Sequence, residues 1–190
     1  EILINLHYLP GLVRSHLSNS HYSANITTVF EKTLLGTGGS LLKNKDFFNN
    51  QPLMLVHADN LSIFDVHAFI ERFQNRGKDI EITMMTFNAT NPESCGIVEI
   101  DNKGIVKSFH EKVNNPPGNI ANGAVYILAP SVIDFLISLG KEVIDFSTEV
   151  LPSYIGRINT FHNKTYHRDI GTVESLLAAQ HEYPVAIAKL

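Results

Sequence analysis

The sequence predicts an α/β fold with a mixed sheet, and three observations support this prediction. Short apolar runs without a polar face alternate with segments of helical periodicity. Such runs suit strands that are buried on both faces, as in parallel sheets covered by helices. One hairpin pattern interrupts the alternation and adds antiparallel pairing. With 190 residues, 44% of them hydrophobic, the chain is long enough for one domain with its own core.

The first third of the chain contains two predicted strands and a glycine-rich segment. Residues 2–7 form an apolar run, Pro10 suits the first position of a helix, and residues 25–30 are β-branched. Residues 31–40 read EKTLLGTGGS, which predicts a turn before a helix that starts at Leu41. Glycines allow backbone to approach a ligand closely, and a helix N-terminus offers free amides. A plain loop is an equally good interpretation of this segment alone.

A lone carboxylate marks the end of the next predicted strand. The run Leu53–His57 stops at Asp59, and Asp65 precedes a helix-periodic segment that it can cap. Open α/β sheets bind their ligands at the carboxyl ends of strands, so Asp59 is a candidate binding residue. The alternative is that Asp59 and Asn60 only form a turn.

The remaining elements follow from the same kinds of pattern. Gly104 has the turn position of a hairpin between residues 96–100 and 105–109. Residues 157–161 and 164–167 resemble short strands paired with each other. The other predicted elements are strands over 80–87 and 122–128, helices over 66–73 and from Pro130, a short helix over 146–151, and a closing helix over 173–182.

Composition excludes several classes of protein. The formal net charge of −4 gives no electrostatic reason to expect nucleic acid or an anionic membrane as a partner. Cys95 is the single cysteine, so neither a disulfide framework nor a thiolate zinc site is expected. This fits a reducing, cytoplasmic location. The histidines have no metal-binding spacing, and we interpret them as ordinary surface or core residues.

Four segments in a fixed order carry a resemblance to a known family. They are residues 35–39 (LGTGG), residues 58–59 (AD), residues 111–112 (EK) followed by 122–126 (NGAVY), and residues 169–172 (DIGT). Together they resemble the sugar-1-phosphate nucleotidyltransferases, with the bacterial mannose-1-phosphate guanylyltransferase-like enzymes as the nearest branch. The resemblance implies a single domain over 1–190 with a Rossmann-like, three-layer α/β/α fold and a mixed, mostly parallel central sheet.

The resemblance also implies a reaction and a set of roles. An NTP and a sugar 1-phosphate would give an NDP-sugar and pyrophosphate, with Mg²⁺ as cofactor, for nucleotide-sugar and polysaccharide biosynthesis. The implied catalytic residues are Asp59, Lys112 and Asp169, and the two aspartates would hold the metal. The implied ligand-binding residues are Gly36, Thr37 and Gly38 at the nucleotide base, and Glu111, Asn122 and Gly123 at the sugar.

The sequence departs from the family pattern in two ways. Val113 and Val173 replace family prolines, and His57 stands where glycine is usual; these changes remove no functional group. The family's first strand, with its glycine-rich loop bearing Arg and Lys, is absent, and the chain begins without Met. We therefore expect a truncated chain with two unpaired strand edges, which would turn over slowly or not at all. An open edge would also favour a homo-oligomer.

Two other functions compete with this interpretation. A non-catalytic relative could bind sugar phosphate or nucleotide for regulation, and the missing loop favours it. A metal-dependent glycosyltransferase on a similar fold would carry a DxD-type strand end, but Asp59-Asn60-Leu61 lacks the second carboxylate. Asp169 alone also suits a helix N-cap, and Asn122 alone suits a turn.

Overall fold

The computed structural model describes residues 1–188, and these group into two compact units. Unit 1 contains residues 1–50 and 133–150, and unit 2 contains residues 51–132 and the chain from Leu151 onward. We describe each unit by itself. The single domain predicted over 1–190 stays a prediction, and its last two residues lie outside the described part.

Strands and helices alternate along the chain. The strands are β1 (Ile2–Leu6), β2 (Ile26–Phe30), β3 (Leu53–Val56), β4 (Asn60–Ile63), β5 (Ile82–Asn88), β6 (Gly96–Ile100), β7 (Val106–Glu111), β8 (Ile120–Leu128), β9 (Ile158–His162) and β10 (Tyr166–Asp169). The α-helices are α1 (Pro10–Ser18), α2 (Gly36–Lys43), α3 (Val66–Gln74), α4 (Ser131–Ser138) and α5 (Val173–Ile187). None of the described helices combines the length and apolar character needed to span a membrane.

Unit 1 is built around a two-stranded parallel sheet. β1 pairs with β2 in a register that places Ile2 opposite Ile26. Pro10 occupies the first turn of α1, where its missing N–H costs no hydrogen bond. The backbone around Ile144, which is fully buried, contacts the first turn of α2.

Unit 2 contains a six-stranded sheet and a separate two-stranded one. The large sheet has the order β7-β6-β8-β5-β9, with β3 also paired to β8, and the small sheet joins β4 to β10. On one face of the large sheet, Phe69 and Phe73 of α3 pack on Met85, Val125 and Ile127. The spacing of the two phenylalanines puts both on the same side of the helix.

The mixed α/β architecture is confirmed, but parallel pairs are fewer than predicted. Among the described pairings, β1–β2 and β5–β9 are parallel. β8 runs antiparallel to β3, β5 and β6, and it therefore gives the large sheet its antiparallel character. Among the described strands, β1 pairs only with β2 and β3 only with β8, and the two unpaired edges expected from a missing strand stay a prediction.

Several local predictions are confirmed. The Asp65 carboxylate accepts a hydrogen bond from the Ala68 N–H at 2.9 Å and caps α3. The β6–β7 hairpin forms, with Gly104 at a φ of +78°. The helix predicted from Leu41 already begins at Gly36, because the glycine-rich segment forms the first turn of α2.

The predicted pairing of residues 157–161 with 164–167 is wrong. β9 instead pairs with β5, and β10 pairs with β4, a strand that the sequence pattern did not reveal. The chain changes sheets at the buried Asn163. Its backbone N–H donates to the Thr86 carbonyl at 2.7 Å, and its side-chain amide donates to the Tyr166 carbonyl at 2.8 Å.

Candidate functional site

Asp59 and Asp169 lie side by side in unit 2. β4 and β10 are antiparallel with Asn60 opposite Asp169, and the Ile170 N–H donates to the Asp59 carbonyl at 2.7 Å. A Cβ placed on Gly171 would lie 3.0 Å from Asp169 Oδ1 and 3.8 Å from Asp59 Oδ2. Both carboxylates are exposed. They therefore border one small space, which the missing side chain of Gly171 keeps open.

The local backbone explains how these carboxylates are presented. The Asn60 N–H donates to the His57 carbonyl at 3.2 Å, so Asp59 occupies a tight turn between β3 and β4. The Thr172 hydroxyl accepts the Ser175 N–H at 3.1 Å and caps α5. Asp169 is therefore not the helix cap, although its Oδ1 accepts the Gly171 N–H at 2.7 Å. Both aspartates close turns and still direct carboxylate oxygen toward the shared space.

The carboxylate pair fits a magnesium ion. Mg²⁺ prefers hard oxygen ligands and is usually held by one or two carboxylates, with waters and substrate phosphates completing the octahedron. Within residues 1–188 no group of three or more His, Cys, Asp or Glu side chains could hold a metal. The carboxylates of Asp59 and Asp169 therefore suit an ion that is shared with phosphate oxygens, and they are too few to enclose an ion by themselves.

His167 lies beside this pair and was not singled out by the sequence analysis. Its Nδ1 is 2.7 Å from Ser62 Oγ, and its ring centroid is 4.1 Å from that of Phe87. Burial lowers the pKa of His167 to about 4, although the charge of Asp169 acts in the opposite direction. Residues two apart on a strand share a face, so the position of His167 relative to Asp169 was the available signal.

Asn122 has partners within its own strand. Its Nδ2 donates to the Tyr126 hydroxyl at 2.6 Å, and its Oδ1 accepts the Ala124 N–H at 3.0 Å. These bonds hold an irregular segment of β8, where Ala124 has a φ of +49° and the register with β5 shifts. Asn122 therefore has a structural role in β8, and its contact with the sugar stays a prediction.

Gly123 connects this segment to the carboxylate pair. Its carbonyl accepts a hydrogen bond from Asn60 Nδ2 at 3.3 Å. A Cβ at Gly123 would lie 2.7 Å from Met85 Cε and 3.6 Å from His167 Cε1. A side chain at Gly123 would therefore have to displace the end of Met85 and would pack tightly on the β5 backbone, whose Met85 carbonyl oxygen lies 3.2 Å from the Cβ position.

Glu111 and Lys112 form a separate group where β7 ends. Lys112 Nζ is 3.9 Å from Glu111 Oε1, and the Lys112 side chain is 68% exposed. Lys112 has a φ of +48°, which is uncommon for a residue with a side chain, and its N–H donates to the Cys95 carbonyl at 3.2 Å. The lysine is free to reach an anionic ligand. Among the described residues, no hydrogen bond or ion pair joins Lys112 to Asp59 or Asp169.

In unit 1 the glycine-rich segment packs closely on backbone. The amides of Gly38 and Gly39 donate to the Ile144 carbonyl at 3.0 and 3.3 Å. A Cβ at Gly36 would lie 2.4 Å from that carbonyl oxygen, and one at Gly39 would lie 2.2 Å from the Glu142 oxygen. Gly38 is buried, whereas Gly36 is exposed and Thr37 is half-buried. The amide of Gly38 is therefore already engaged, and Gly36 and Thr37 remain the accessible members of the predicted base site.

Glu31 is a second residue that the sequence analysis missed. It directly follows β2 and is only 1% exposed. Its Oε2 accepts the Leu35 N–H at 3.4 Å, while its Oε1 is buried with no hydrogen-bond partner among the described residues. An unpaired buried carboxylate oxygen costs free energy and calls for a donor. The signal was a lone carboxylate at a strand end, the same signal that selected Asp59.

Comparison with known proteins identifies the family. The family model described as nucleotidyl transferase matches residues 1–185. The chain belongs to the nucleotidyl transferase family. The chain is 26% identical over 182 residues to the mannose-1-phosphate guanylyltransferase of Mycobacterium tuberculosis, covering 93% of this chain and 50% of the relative. It is also 26% identical over 154 residues to the glucose-1-phosphate adenylyltransferase of Bacillus licheniformis, covering 76% and 41%.

A solved structure supports the fold assignment. HddC from Yersinia pseudotuberculosis superposes on this chain with a TM-score of 0.79, covering 96% of this chain and 78% of that one. At 22% sequence identity, this likeness shows the fold alone. The chain spans about half, or less, of the length of the curated relatives described above.

Proposed function

We propose that this chain transfers a nucleotidyl group from an NTP to a sugar 1-phosphate, releasing pyrophosphate. The observation that carries the proposal is the carboxylate pair, Asp59 and Asp169, at the space beside Gly171. Membership of the family and the names of the curated relatives support the same reaction class. The relatives include guanylyl and adenylyl transferases, so the base and sugar need separate arguments.

The chemistry requires charge compensation more than proton transfer. A phosphate oxygen of the sugar 1-phosphate attacks the α-phosphorus, a new P–O bond forms, and the α–β bridge bond breaks with its electrons leaving on pyrophosphate. Unit charges 4 Å apart repel by about 4 kcal/mol at an effective dielectric of about 20. Bound Mg²⁺ would neutralise and orient phosphate oxygens for this displacement. Asp59 and Asp169 would hold the ion, and Lys112 would add a mobile cation at the sugar phosphate.

The sugar-binding roles follow from the remaining predicted residues. The Glu111 carboxylate can accept hydrogen bonds from sugar hydroxyls. Because Gly123 has no side chain, a sugar can approach its backbone closely. Asn122, whose side chain already holds β8, would act mainly by shaping this surface.

Glu31 Oε1 is buried, so a base can contact it only when neighbouring residues move aside; with that access, the carboxylate favours guanine. A carboxylate accepts hydrogen bonds and donates none. Guanine presents two adjacent donors, N1–H and the N2 amino group, whereas adenine and the pyrimidine bases each present a single donor group on the corresponding edge. The unpartnered Glu31 Oε1 and the glycine-rich segment lie in the same unit. We therefore take GTP as the nucleotide, and mannose 1-phosphate as the sugar on the strength of the curated guanylyl relative.

The first experiment tests the carboxylate pair. Binding of Mn²⁺, with Mg²⁺ as competitor, is measured by electron paramagnetic resonance on the full chain and on Asp59→Asn and Asp169→Asn. Each variant should bind Mn²⁺ at least about tenfold more weakly, because each loses a charged ligand. The same proteins are incubated with GTP, mannose 1-phosphate and Mg²⁺, and GDP-mannose is detected by mass spectrometry. Formation should depend on both aspartates.

Asp79→Asn is the matched control, since it makes the same change at another exposed aspartate of unit 2. It should leave Mn²⁺ affinity and product formation unchanged. The proposal is wrong if the two site variants bind Mn²⁺ as the parent does. It is also wrong if the nucleotide sugar that the parent forms, however slowly, is formed equally well by both site variants.

The second experiment tests the base. Glu31→Gln preserves shape but replaces one acceptor by a donor, which would oppose a guanine N–H. GTP affinity, measured by calorimetry with Mg²⁺ present, should fall about 10- to 100-fold, because a charge-assisted hydrogen bond is lost and a donor is left unpaired. ATP affinity should not fall. An equal loss for both nucleotides would point to a folding defect and contradict the guanine assignment.

A further inference from the structure

The two strands that carry the aspartates form an independent ribbon. Among the strands that the structure describes, β4 and β10 pair only with each other, without a ladder to the six-stranded sheet. We call residues 59–63 and 166–171 the carboxylate ribbon. A two-stranded antiparallel pair alone is at best marginally stable in water. Side-chain contacts must therefore fix both its register and its position on the large sheet.

The two faces of β10 have different partners. Arg168 donates to Glu182 of α5 through Nε at 2.7 Å and Nη2 at 2.6 Å, and the Tyr166 hydroxyl donates to the same carboxylate at 3.1 Å. Since side chains alternate along a strand, His167 and Asp169 share the opposite face. This face carries the contacts toward β5 and β8.

His167 makes two contacts that constrain the ribbon. Its Nδ1 hydrogen-bonds Ser62 Oγ at 2.7 Å, and Ser62 is the residue directly opposite it in the β4–β10 register. Its ring rests on Phe87 of β5, with 4.1 Å between centroids. The first contact joins the strands that carry Asp59 and Asp169, and the second holds the ribbon on the large sheet.

We propose that His167 is a positioning residue for the cation site. Its bond to Ser62 fixes the register that brings the two carboxylates to the space beside Gly171. This inference rests on the proposed function, because it assumes that the pair holds the cation. It assigns His167 no direct contact with the reacting atoms.

The test separates the two contacts by substitution. His167→Phe keeps the ring on Phe87 and removes the hydrogen bond, and Ser62→Ala removes the same bond from the other strand. His167→Asn keeps a polar atom close to the position of Nδ1. Mn²⁺ affinity, measured well below the melting temperature, should fall about 3- to 10-fold in His167→Phe and in Ser62→Ala. The double variant should be no weaker than either, because one bond is lost in all three. His167→Asn should stay within about twofold of the parent.

His162→Phe is the matched control. His162 on β9 bonds the hydroxyl of Thr86 through Nδ1 at 3.2 Å, so it has the same type of cross-strand contact outside the ribbon. This variant should lower the melting temperature without changing Mn²⁺ affinity. Parental Mn²⁺ affinity in both His167→Phe and Ser62→Ala would overturn the positioning role, while loss of binding in Asp59→Asn would leave the proposed function intact. A parent that binds no Mn²⁺ would overturn both.

Discussion

At the scale of single residues, the same side chains often close a turn and face a candidate ligand. Asp169 accepts the Gly171 N–H and also borders the space shared with Asp59. A role in a turn and a role in binding a ligand, which the sequence left open for Asp59 and Asp169, are therefore compatible. A turn fixes the carboxylate in place at little entropic cost, which is what a ligand site requires.

His162, the half-buried histidine of β9, makes a pH-dependent contribution to stability. Burial, with a smaller effect from the nearby Lys164 charge, lowers the pKa of His162 below its usual value of 6.5. The folded state thus disfavours the protonated form, so this contribution is present above about pH 6.5 and is lost as pH falls.

We expect His162→Phe to lose less stability than the parent between pH 7 and pH 5. Urea unfolding of both proteins at several pH values measures the difference, and Asp79→Asn serves as a neutral control. If the free energy of unfolding falls equally in both proteins over this pH range, His162 does not titrate as inferred.

At the scale of elements, the ribbon and α5 depend on each other. Glu182 receives two hydrogen bonds from Arg168, and these hold the pKa of Glu182 below its ordinary value. This bidentate geometry is stronger than that of a typical surface ion pair. The helix therefore fixes the face of β10 opposite to His167.

Glu182→Gln should destabilise the chain by about 0.5–1 kcal/mol, because the pair is partly exposed to solvent. Thermal melts at low salt should show this loss, and 1 M NaCl should reduce it. Asp46→Asn, which breaks the exposed pair with Lys45, should have no measurable effect. A loss of equal size in both variants would argue against a specific role for the bidentate contact.

At the scale of the whole molecule, the residues with predicted roles are divided between the two units. Gly36, Thr37 and Gly38 belong to unit 1, as does Glu31, while the aspartates and the sugar-side residues belong to unit 2. The net charge of −4 offers no general attraction for polyanionic substrates. Under the proposed function, recognition would therefore come from local groups such as Lys112, backbone amides and a bound cation.

Local sequence patterns predicted much of this structure. Caps, turn glycines and apolar periodicity are effects of neighbouring residues, and they identified Asp65, Gly104 and most strands and helices correctly. The ordered motifs likewise identified the family. Strand β4 was missed because its four residues NLSI, although they alternate polar and apolar, are too few to stand out from the turn at Asp59 and Asn60.

Only the tertiary structure decided which strands pair and what the glycines contact. The pairing of β4 with β10 joins segments that are distant in sequence, and this contact brings Asp59 to Asp169. The close packing of Gly36 and Gly39 on residues 142–144 and the unpaired oxygen of Glu31 have the same origin. The sequence by itself determined the local conformations and the residue types available for chemistry. Their convergence depends on long-range packing and hydrogen bonding, which no short stretch of sequence encodes.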